Sequence, residues 1–280
     1  MGCSANRNRG LEHALRTSAA ADLLHGLGLT WAAPALAGLA RLVVGRFVDD
    51  LQEVDAAISR GGLSAAADVV LTRYAGTVTI RGAQLAPSSG PLVVAANHAG
   101  VVDAPAIWRL LAVRDDVLII ALDRPILRAI PHLSSRLLSV GSEAHGRTGL
   151  VRRIADQLRS GGAVLTFPAG TTEPDPQLRL EDALASLDAW GRGVELFPRL
   201  VPETAVLPVV VSGVISQRML RNPVARCRST PEERELAAAT LQVLFRDRSI
   251  NPVVTAGEPL RHAPALGDLT AAMAELLRNQ

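Results

Sequence analysis

A histidine and an aspartate lie five positions apart, directly after an apolar run in the first half of the chain. The run PLVVAA, residues 91–96, is followed by Asn97 and His98, and Asp103 comes after four more residues. A carboxylate beside one imidazole nitrogen fixes the tautomer and stabilises the imidazolium, so that the other nitrogen can accept a proton from a substrate hydroxyl. The pair therefore predicts general-base chemistry if the fold brings the two side chains together.

Asp103 also has a purely structural interpretation. It is followed by Ala104 and Pro105, an order typical of a helix N-terminus, where an aspartate at the cap accepts free backbone N–H groups. Both interpretations place residues 97–102 in a turn that leaves a strand. Active sites of open parallel sheets gather at the carboxyl ends of strands, so this turn is where a catalytic pair is expected.

The elements that must position this pair are short aliphatic strands separated by helical stretches. The runs that predict strands are TVTI, PLVVAA, DVLIIAL, AVLTF, VLPVVV and PVVTAG. Runs that are apolar on both sides indicate strands buried on both faces, and hence an α/β fold with a helix-covered sheet. Helices are predicted at TGLVRRIADQLRSGG, which ends in a glycine pair, and at TPEERELAAATLQVLF, which opens with a threonine cap.

The segment before the sheet predicts two amphipathic helices that Pro34 divides. Between Asp22 and Arg41 there is no fixed charge, but the Gly, Pro and Ala content argues against a full membrane span. The second helix would carry a helically spaced apolar face of Leu36, Leu39, Val43, Phe47 and Leu51. A helix pair packed on the domain and a membrane-surface element both fit this pattern. We predict an N-terminal helical hairpin over residues 1–65 and an α/β domain over residues 66–280.

Composition argues against several classes of protein. The formal net charge is +2 and aromatic residues make up 3% of the chain, so no nucleic acid partner is expected. Only Cys3 and Cys227 are present, without metal-ligand spacing, so we expect neither a disulfide framework nor a metal site, and a reducing, intracellular setting. There is no G-x-S-x-G elbow, no G-x-G-x-x-G motif and no lysine, which disfavours a serine hydrolase and a nucleotide-binding enzyme.

A second short motif, FPAGT, follows the strand AVLT, and together with the first it resembles the glycerolipid acyltransferase family. This family includes the lysophosphatidic acid and glycerol-3-phosphate acyltransferases. Its first motif, N-H-x-x-x-x-D, is matched at Asn97, His98 and Asp103. Its third motif, F-P-E-G-T-R-S, is matched at Phe167, Pro168, Gly170 and Thr171. The arginine of the second motif is assigned to Arg147, and the fourth motif is similar to AVLPVVVSG with Pro208.

The resemblance implies a mixed, mostly parallel sheet preceded by the amphipathic two-helix element. It also implies acyl transfer from acyl-CoA or acyl carrier protein to a hydroxyl, without an acyl-enzyme and without a cofactor beyond the thioester co-substrate. His98 would be the general base and Asp103 would orient it. The implied substrate-binding residues are Asn97, Arg147, Phe167, Pro168, Gly170 and Thr171. The expected partners are the thioester donor, a lipid or glycerol phosphate acceptor such as lysophosphatidate, and the cytoplasmic face of a membrane, with peripheral or monotopic attachment.

Two departures from the family pattern leave the acceptor open. Ala169 stands where the family has glutamate, and Thr172 where it has an arginine that would help to hold a phosphate. Lysophosphatidate, glycerol 3-phosphate, an aminoacyl lipid and a glycolipid all remain candidate acceptors. The alternative from another class is a membrane-surface lipid-binding protein that has lost turnover. Other arginines that could bind an anion are Arg136, Arg152, Arg153, Arg218, Arg221, Arg226 and Arg228.

Overall fold

The computed structural model describes residues 2–140 and 144–280, with side chains described for residues 13–140 and 148–280. The strands in this part of the chain are β1 (Thr79–Arg81), β2 (Leu92–Ala96), β3 (Val117–Leu122), β4 (Leu137–Val140), β5 (Ala163–Thr166), β6 (Ala205–Ser212) and β7 (Val253–Ala256). They form one seven-stranded sheet in the order β1-β7-β6-β2-β5-β3-β4. Each predicted strand is present, and β4 is the additional one.

Neighbouring strands are parallel except at one junction. Strand β7 runs antiparallel to β6, while all other neighbours, including β1 and β7, are parallel. The predicted mixed, mostly parallel sheet of an α/β fold is therefore confirmed. Strands β2 to β6 all point the same way, so their carboxyl ends share one edge of the sheet, which we call the carboxyl edge.

Helices cover the sheet. In chain order they are α1 (Gly2–Gly26), α2 (Ala33–Val43), α3 (Gly45–Tyr74), α4 (Asp103–Leu110), α5 (Pro125–Arg128), α6 (Pro131–Ser135), α7 (Ala144–Arg159), α8 (Leu180–Ser186), α9 (Gly193–Leu200), α10 (Gln217–Leu220), α11 (Pro223–Arg226), α12 (Pro231–Phe245) and α13 (Leu266–Arg278). Both predicted helices of this region, α7 and α12, are confirmed. The Thr230 side chain caps α12 by accepting the N–H of Glu233 at 3.2 Å.

The strand at the centre of the sheet is buried on both faces, as its unbroken apolar sequence predicts. Leu92 and Val94 of β2 belong to a core cluster that includes residues of α1, α3, α4 and α12. Val93 and Ala95 belong to a second cluster, which includes residues of α7, α9 and α13. Alternate residues of one strand thus anchor the two helical layers that sandwich the sheet.

The N-terminal segment differs from the predicted hairpin in where its helices break. The single helix expected to run from Pro34 past Leu51 is wrong, because α2 ends at Val43 and α3 begins at Gly45, with a bend of 55° between them. The helix breaks at Val44, whose ψ of 0° departs from helical geometry, next to a glycine that disfavours helix. The predicted boundary between residues 65 and 66 falls inside α3.

None of the described helices alone is long and apolar enough to cross a bilayer. Taken together as a bent pair, the segments Thr30–Val43 and Gly45–Tyr74 have the length and composition of a membrane span, and only these two properties support it.

Helices α1 and α3 pack against other helices of the domain, whereas α2 keeps an apolar surface. Val48 and Val54 of α3 are buried in the same core cluster as strand β2. Asp50 of α3, also buried, accepts hydrogen bonds from Arg73 at 2.6 Å and from Arg246, after α12, at 2.7 Å. In contrast, the large apolar side chains exposed on α2 and the turn before it are Trp31, Leu39, Leu42 and Val43.

Candidate active site

Three loops meet at the carboxyl edge near the predicted catalytic pair. They follow β2, β3 and β5, which are neighbours in the order β2-β5-β3. The loop after β2 contains His98, the loop after β3 contains Arg124, and the loop after β5 begins with Phe167. Because parallel strands bring their carboxyl ends to one edge, residues distant in sequence form a common site there.

The predicted pair is formed. Nδ1 of His98 lies 2.7 Å from Oδ2 of Asp103, whose side chain is only 1% exposed, while the imidazole is 34% exposed. The carboxylate also accepts the backbone N–H of Gly100 at 3.0 Å and that of Ala104 at 2.6 Å. With Nδ1 committed to Asp103, Nε2 is the ring nitrogen that remains for a substrate.

Asp103 is not the helix cap that the sequence suggested. It is the first residue of α4, and the cap position belongs to Val102, whose side chain makes no capping hydrogen bond. The aspartate instead stabilises the loop between β2 and α4. Its carboxylate binds the ring of His98 and also accepts two backbone N–H groups. The structural and catalytic interpretations of Asp103 are thus combined in one set of hydrogen bonds.

The pKa of His98 lies above its ordinary value because neighbouring carboxylates outweigh the effect of burial. Burial lowers it, whereas the charge and hydrogen bond of Asp103 and the charge of Glu173 raise it. The positive charge of Arg124 acts in the lowering direction. The ring of Phe167 packs against the imidazole with its centroid at 4.6 Å and a tilt of 31°. This environment favours a histidine that accepts a proton readily.

Glu173 is a contact that the sequence reasoning missed. Its Oε2 accepts the backbone N–H of His98 at 2.9 Å, and its own N–H donates to the His98 carbonyl at 2.6 Å. Its Oε1 accepts from the indole of Trp190 at 2.8 Å and the hydroxyl of Ser186 at 2.9 Å. Burial raises the pKa of Glu173, while these donors and the charge of His98 act to lower it. No sequence motif marks a contact across 75 positions.

Asn97 braces the end of strand β2 against β6. Its side-chain amide donates to the carbonyl of Val211 at 2.9 Å and accepts the N–H of Val211 at 2.8 Å. The side chain is buried. We predicted Asn97 among the substrate-binding residues, but the structure engages both of its polar side-chain atoms in this brace. Its observed role is to anchor the strand that carries His98.

The third motif forms a tight turn beside the histidine. The N–H of Gly170 donates to the carbonyl of Phe167 at 3.0 Å, and Gly170 adopts a positive φ of 68°, a region that favours glycine. Phe167 and Pro168 are half-buried, while Gly170 and Thr171 are exposed. Phe167 therefore contacts His98 directly, and the rest of the motif shapes the surface next to it.

The predicted and observed arginines differ. Arg147 lies in the first turns of α7, and its side chain lies outside the described residues. Arg124, which the sequence reasoning missed, follows β3, is half exposed and pairs with Asp22 of α1 at 3.2 Å. Of the other predicted arginines, Arg152 pairs with Asp156 and Arg218 with Asp247, each at about 4 Å. Among the described arginines, Arg124 is the one whose charge acts most strongly on His98.

A mixed α/β sheet with a carboxylate-oriented histidine at its carboxyl edge contains the groups that general-base chemistry on a hydroxyl requires. Residues 77–210 match the family model described as Acyltransferase. This segment covers β1 to most of β6 and contains both motifs, so this part of the chain is an acyltransferase domain. The family resemblance predicted from the two motifs is confirmed.

One solved structure is similar over most of both chains. It is the 1-acyl-sn-glycerophosphate (LPA) acyltransferase PlsC from Thermotoga maritima, with 19% sequence identity, a TM-score of 0.44, and coverage of 98% of this chain and 95% of that chain. No curated protein matches the chain.

Proposed function

We propose that this acyltransferase moves a fatty acyl group from acyl-CoA or acyl carrier protein to a hydroxyl of a glycerolipid precursor such as lysophosphatidate. The observation that carries the proposal is the His98–Asp103 pair at the carboxyl edge, inside the segment that matches the acyltransferase family. A buried carboxylate that fixes one ring nitrogen of a partly exposed histidine is the arrangement that a general base requires.

In the proposed reaction the acceptor hydroxyl donates a hydrogen bond to Nε2 of His98. As its oxygen attacks the thioester carbonyl, the proton passes to Nε2 and the carbonyl oxygen becomes negatively charged. The tetrahedral intermediate expels the thiolate, and His98 returns the proton to the sulfur. The products are an ester and a free thiol. Asp103 stabilises the imidazolium that exists between the two proton transfers.

The absence of an acyl-enzyme in this proposal agrees with the surroundings of the base. In the part of the chain with described side chains, the ring of His98 contacts Asp103 and Phe167, and no serine or cysteine hydrogen-bonds to it. The described cysteine, Cys227, is exposed in the segment after α11. Direct attack by the acceptor hydroxyl needs no nucleophilic side chain.

A phosphate on the acceptor would need a cation near the base, and we propose Arg124 for this role beside the predicted Arg147. Arg124 is half exposed, lies at the carboxyl edge, and its charge acts on His98. Arg128 of α5 provides a matched control, because it is an exposed arginine four residues away that pairs with Asp123 at 2.5 Å. Arg124→Ala should raise KM for lysophosphatidate about tenfold or more, as expected for a lost charge-assisted contact.

The test follows thiol release from palmitoyl-CoA with lysophosphatidate, glycerol 3-phosphate and neutral hydroxyl lipids as acceptors. The proposal expects the phosphate acceptors to be preferred and Arg128→Ala to behave as wild type. Better turnover with neutral acceptors, together with an unchanged KM in Arg124→Ala, would replace the phosphate acceptor by another hydroxyl. Lipid binding without thiol release would favour the lipid-binding alternative.

We also propose that the apolar surface of α2 attaches the protein to the cytoplasmic face of a membrane. Trp31, Leu39, Leu42 and Val43 are exposed, and Arg46 is exposed nearby. Apolar burial of about 25 cal/mol per Å² and about 1 kcal/mol per arginine near anionic lipid support such binding. Removing residues 20–60 would also remove buried core of α3, so point variants provide the better test.

For that test, Leu42→Ser is compared with Val113→Ser. Leu42 is 74% exposed and Val113 is 63% exposed, but Val113 lies in the loop that leads into β3 and not on α2. We expect only Leu42→Ser to reduce co-sedimentation with vesicles that contain phosphatidylglycerol. Equal sedimentation of the two variants would exclude α2 as the attachment surface.

A further inference from the structure

The catalytic histidine is held from two sides by carboxylates, and only one of them belongs to the N-H-x-x-x-x-D motif. Asp103 binds the imidazole, while Glu173 binds the backbone of the same residue through the two hydrogen bonds described above. The charges that act most strongly on His98 are those of Asp103 from α4, Glu173 from the loop after β5 and Arg124 from the loop after β3. The first two are negative and the third is positive.

The carboxylate of Glu173 has a fixed position. Its side chain is 5% exposed, and its two oxygens together accept one backbone N–H, one indole N–H and one hydroxyl. Trp190 and Ser186 belong to the helical segments that follow the loop, α8 and the turn after it. The donors hold the charge next to His98 while leaving the imidazole untouched.

The use of a charged group here has a cost that a neutral acceptor would avoid. Burial disfavours an ionised carboxylate, and a glutamine oxygen could accept the N–H of His98 without this cost. The NH2 group of the glutamine would then face the donors of Trp190 and Ser186, so the carboxylate also serves to accept all three hydrogen bonds. A buried charge is consistent with a function when a neighbouring group becomes positive during the reaction. His98 becomes positive when it takes the proton of the acceptor hydroxyl.

We propose that Glu173 is a positioning residue of the reaction: it fixes the backbone of His98, and its negative charge stabilises the protonated imidazole during acyl transfer. This inference rests on the proposed role of His98 as the general base. The role assigned to Glu173 is not one that the family motifs contain. The third motif has serine at the position of Glu173, and Ala169 stands where that motif has its glutamate.

The charge is tested by Glu173→Gln, with Glu195→Gln as the matched control. Glu195 is also a nearly buried glutamate that accepts a backbone N–H, from Leu266 at 2.8 Å, but it pairs with Arg192 and Arg199 rather than with the active site. Each variant is compared with the wild type by thermal unfolding, by NMR titration of the imidazole of His98, assigned with His98→Ala, and by the pH dependence of kcat/KM.

Loss of the negative charge should make the imidazolium less stable and so lower the pKa of His98. We expect a decrease of about half a unit or more in Glu173→Gln, and none in Glu195→Gln. The acidic limb of kcat/KM should move to lower pH by the same amount. The value of kcat should fall at least threefold, with the KM for palmitoyl-CoA unchanged.

The outcomes separate this inference from the proposed function. An unchanged NMR pKa of His98 in a folded Glu173→Gln protein would overturn the inference, whatever the activity. A lowered pKa in a protein whose wild type releases no thiol would instead contradict the proposed function and leave the charge contact supported. If Glu173→Gln does not fold, Glu173→Ser, with the residue of the family motif, makes the same comparison. Failure of both variants to fold would assign Glu173 to the structure alone and overturn the inference.

Discussion

The part of the chain with described side chains contains two histidine–aspartate pairs of nearly the same local geometry. In one, Nδ1 of His98 lies 2.7 Å from Asp103, and in the other, Nδ1 of His132 lies 2.8 Å from Asp55. In both pairs the aspartate also accepts two backbone N–H groups. The pairing distance alone therefore does not distinguish a catalytic histidine from a structural one.

The surroundings differ. Asp55 lies on α3 and accepts the N–H groups of His132 and Leu133, so it ties α3 to the N-terminus of α6. The side chain of His132 is 52% exposed. His98 instead lies at the carboxyl edge, against Phe167 and between two buried carboxylates. What sets the first pair apart is therefore the aromatic ring and the further charges that neighbouring strand ends place beside it.

The largest expected difference between the pairs is in turnover. His98→Ala should reduce acyl transfer by about 10² to 10⁴, the usual contribution of a general base, while the protein remains folded. His132→Ala should keep the kcat of the wild type. Release of free CoA measures both. Near wild-type turnover in a folded His98→Ala protein would remove His98 from the mechanism.

The second difference concerns the aspartates and pH. Asp103 raises the pKa of His98, so Asp103→Asn should lower that pKa and shift the acidic limb of kcat/KM to lower pH. Turnover should fall by less than in His98→Ala, because the base itself remains. Asp55→Asn serves as the control and should leave the pH profile in place. A shift to higher pH in Asp103→Asn would contradict the assigned electrostatics.

The smallest difference concerns stability. Asp55→Ala removes the acceptor of two N–H groups at the start of α6 and should lower the free energy of unfolding by about 0.5 to 2 kcal/mol. The value of kcat/KM should not change. Urea unfolding and the acyl transfer assay provide the two readings. A large loss of activity without a loss of stability would show that α6 contributes to the site.

The parts of this site that the sequence predicted are those that local pattern encodes. Unbroken aliphatic runs identified β2 and β5, and residues within five positions of each other identified His98 and Asp103. β4 was missed because its run LLSV is short and contains a serine. The break at Val44 was missed because the apolar spacing continues across it, and spacing does not report a change of helix direction.

Glu173 and Arg124 were missed for a different reason. Their proximity to His98 depends on the strand order, in which β5 and β3 follow β2 across the sheet. The sequence predicted the strands but not their order, so it could not show which loops meet. The sequence around a charged loop residue does not indicate which other loops that residue will contact in the fold.

The brace formed by Asn97 explains how strand β2 can stop without loosening the sheet. The amide side chain replaces a peptide group in the ladder with β6, so the backbone after it is released from the sheet and can turn toward Glu173. At the end of this strand, a side chain makes the pair of hydrogen bonds that the main chain makes elsewhere in the ladder. The backbone of His98 thus lies outside the hydrogen-bonded ladder of the sheet. It remains attached to the most buried strand through Asn97.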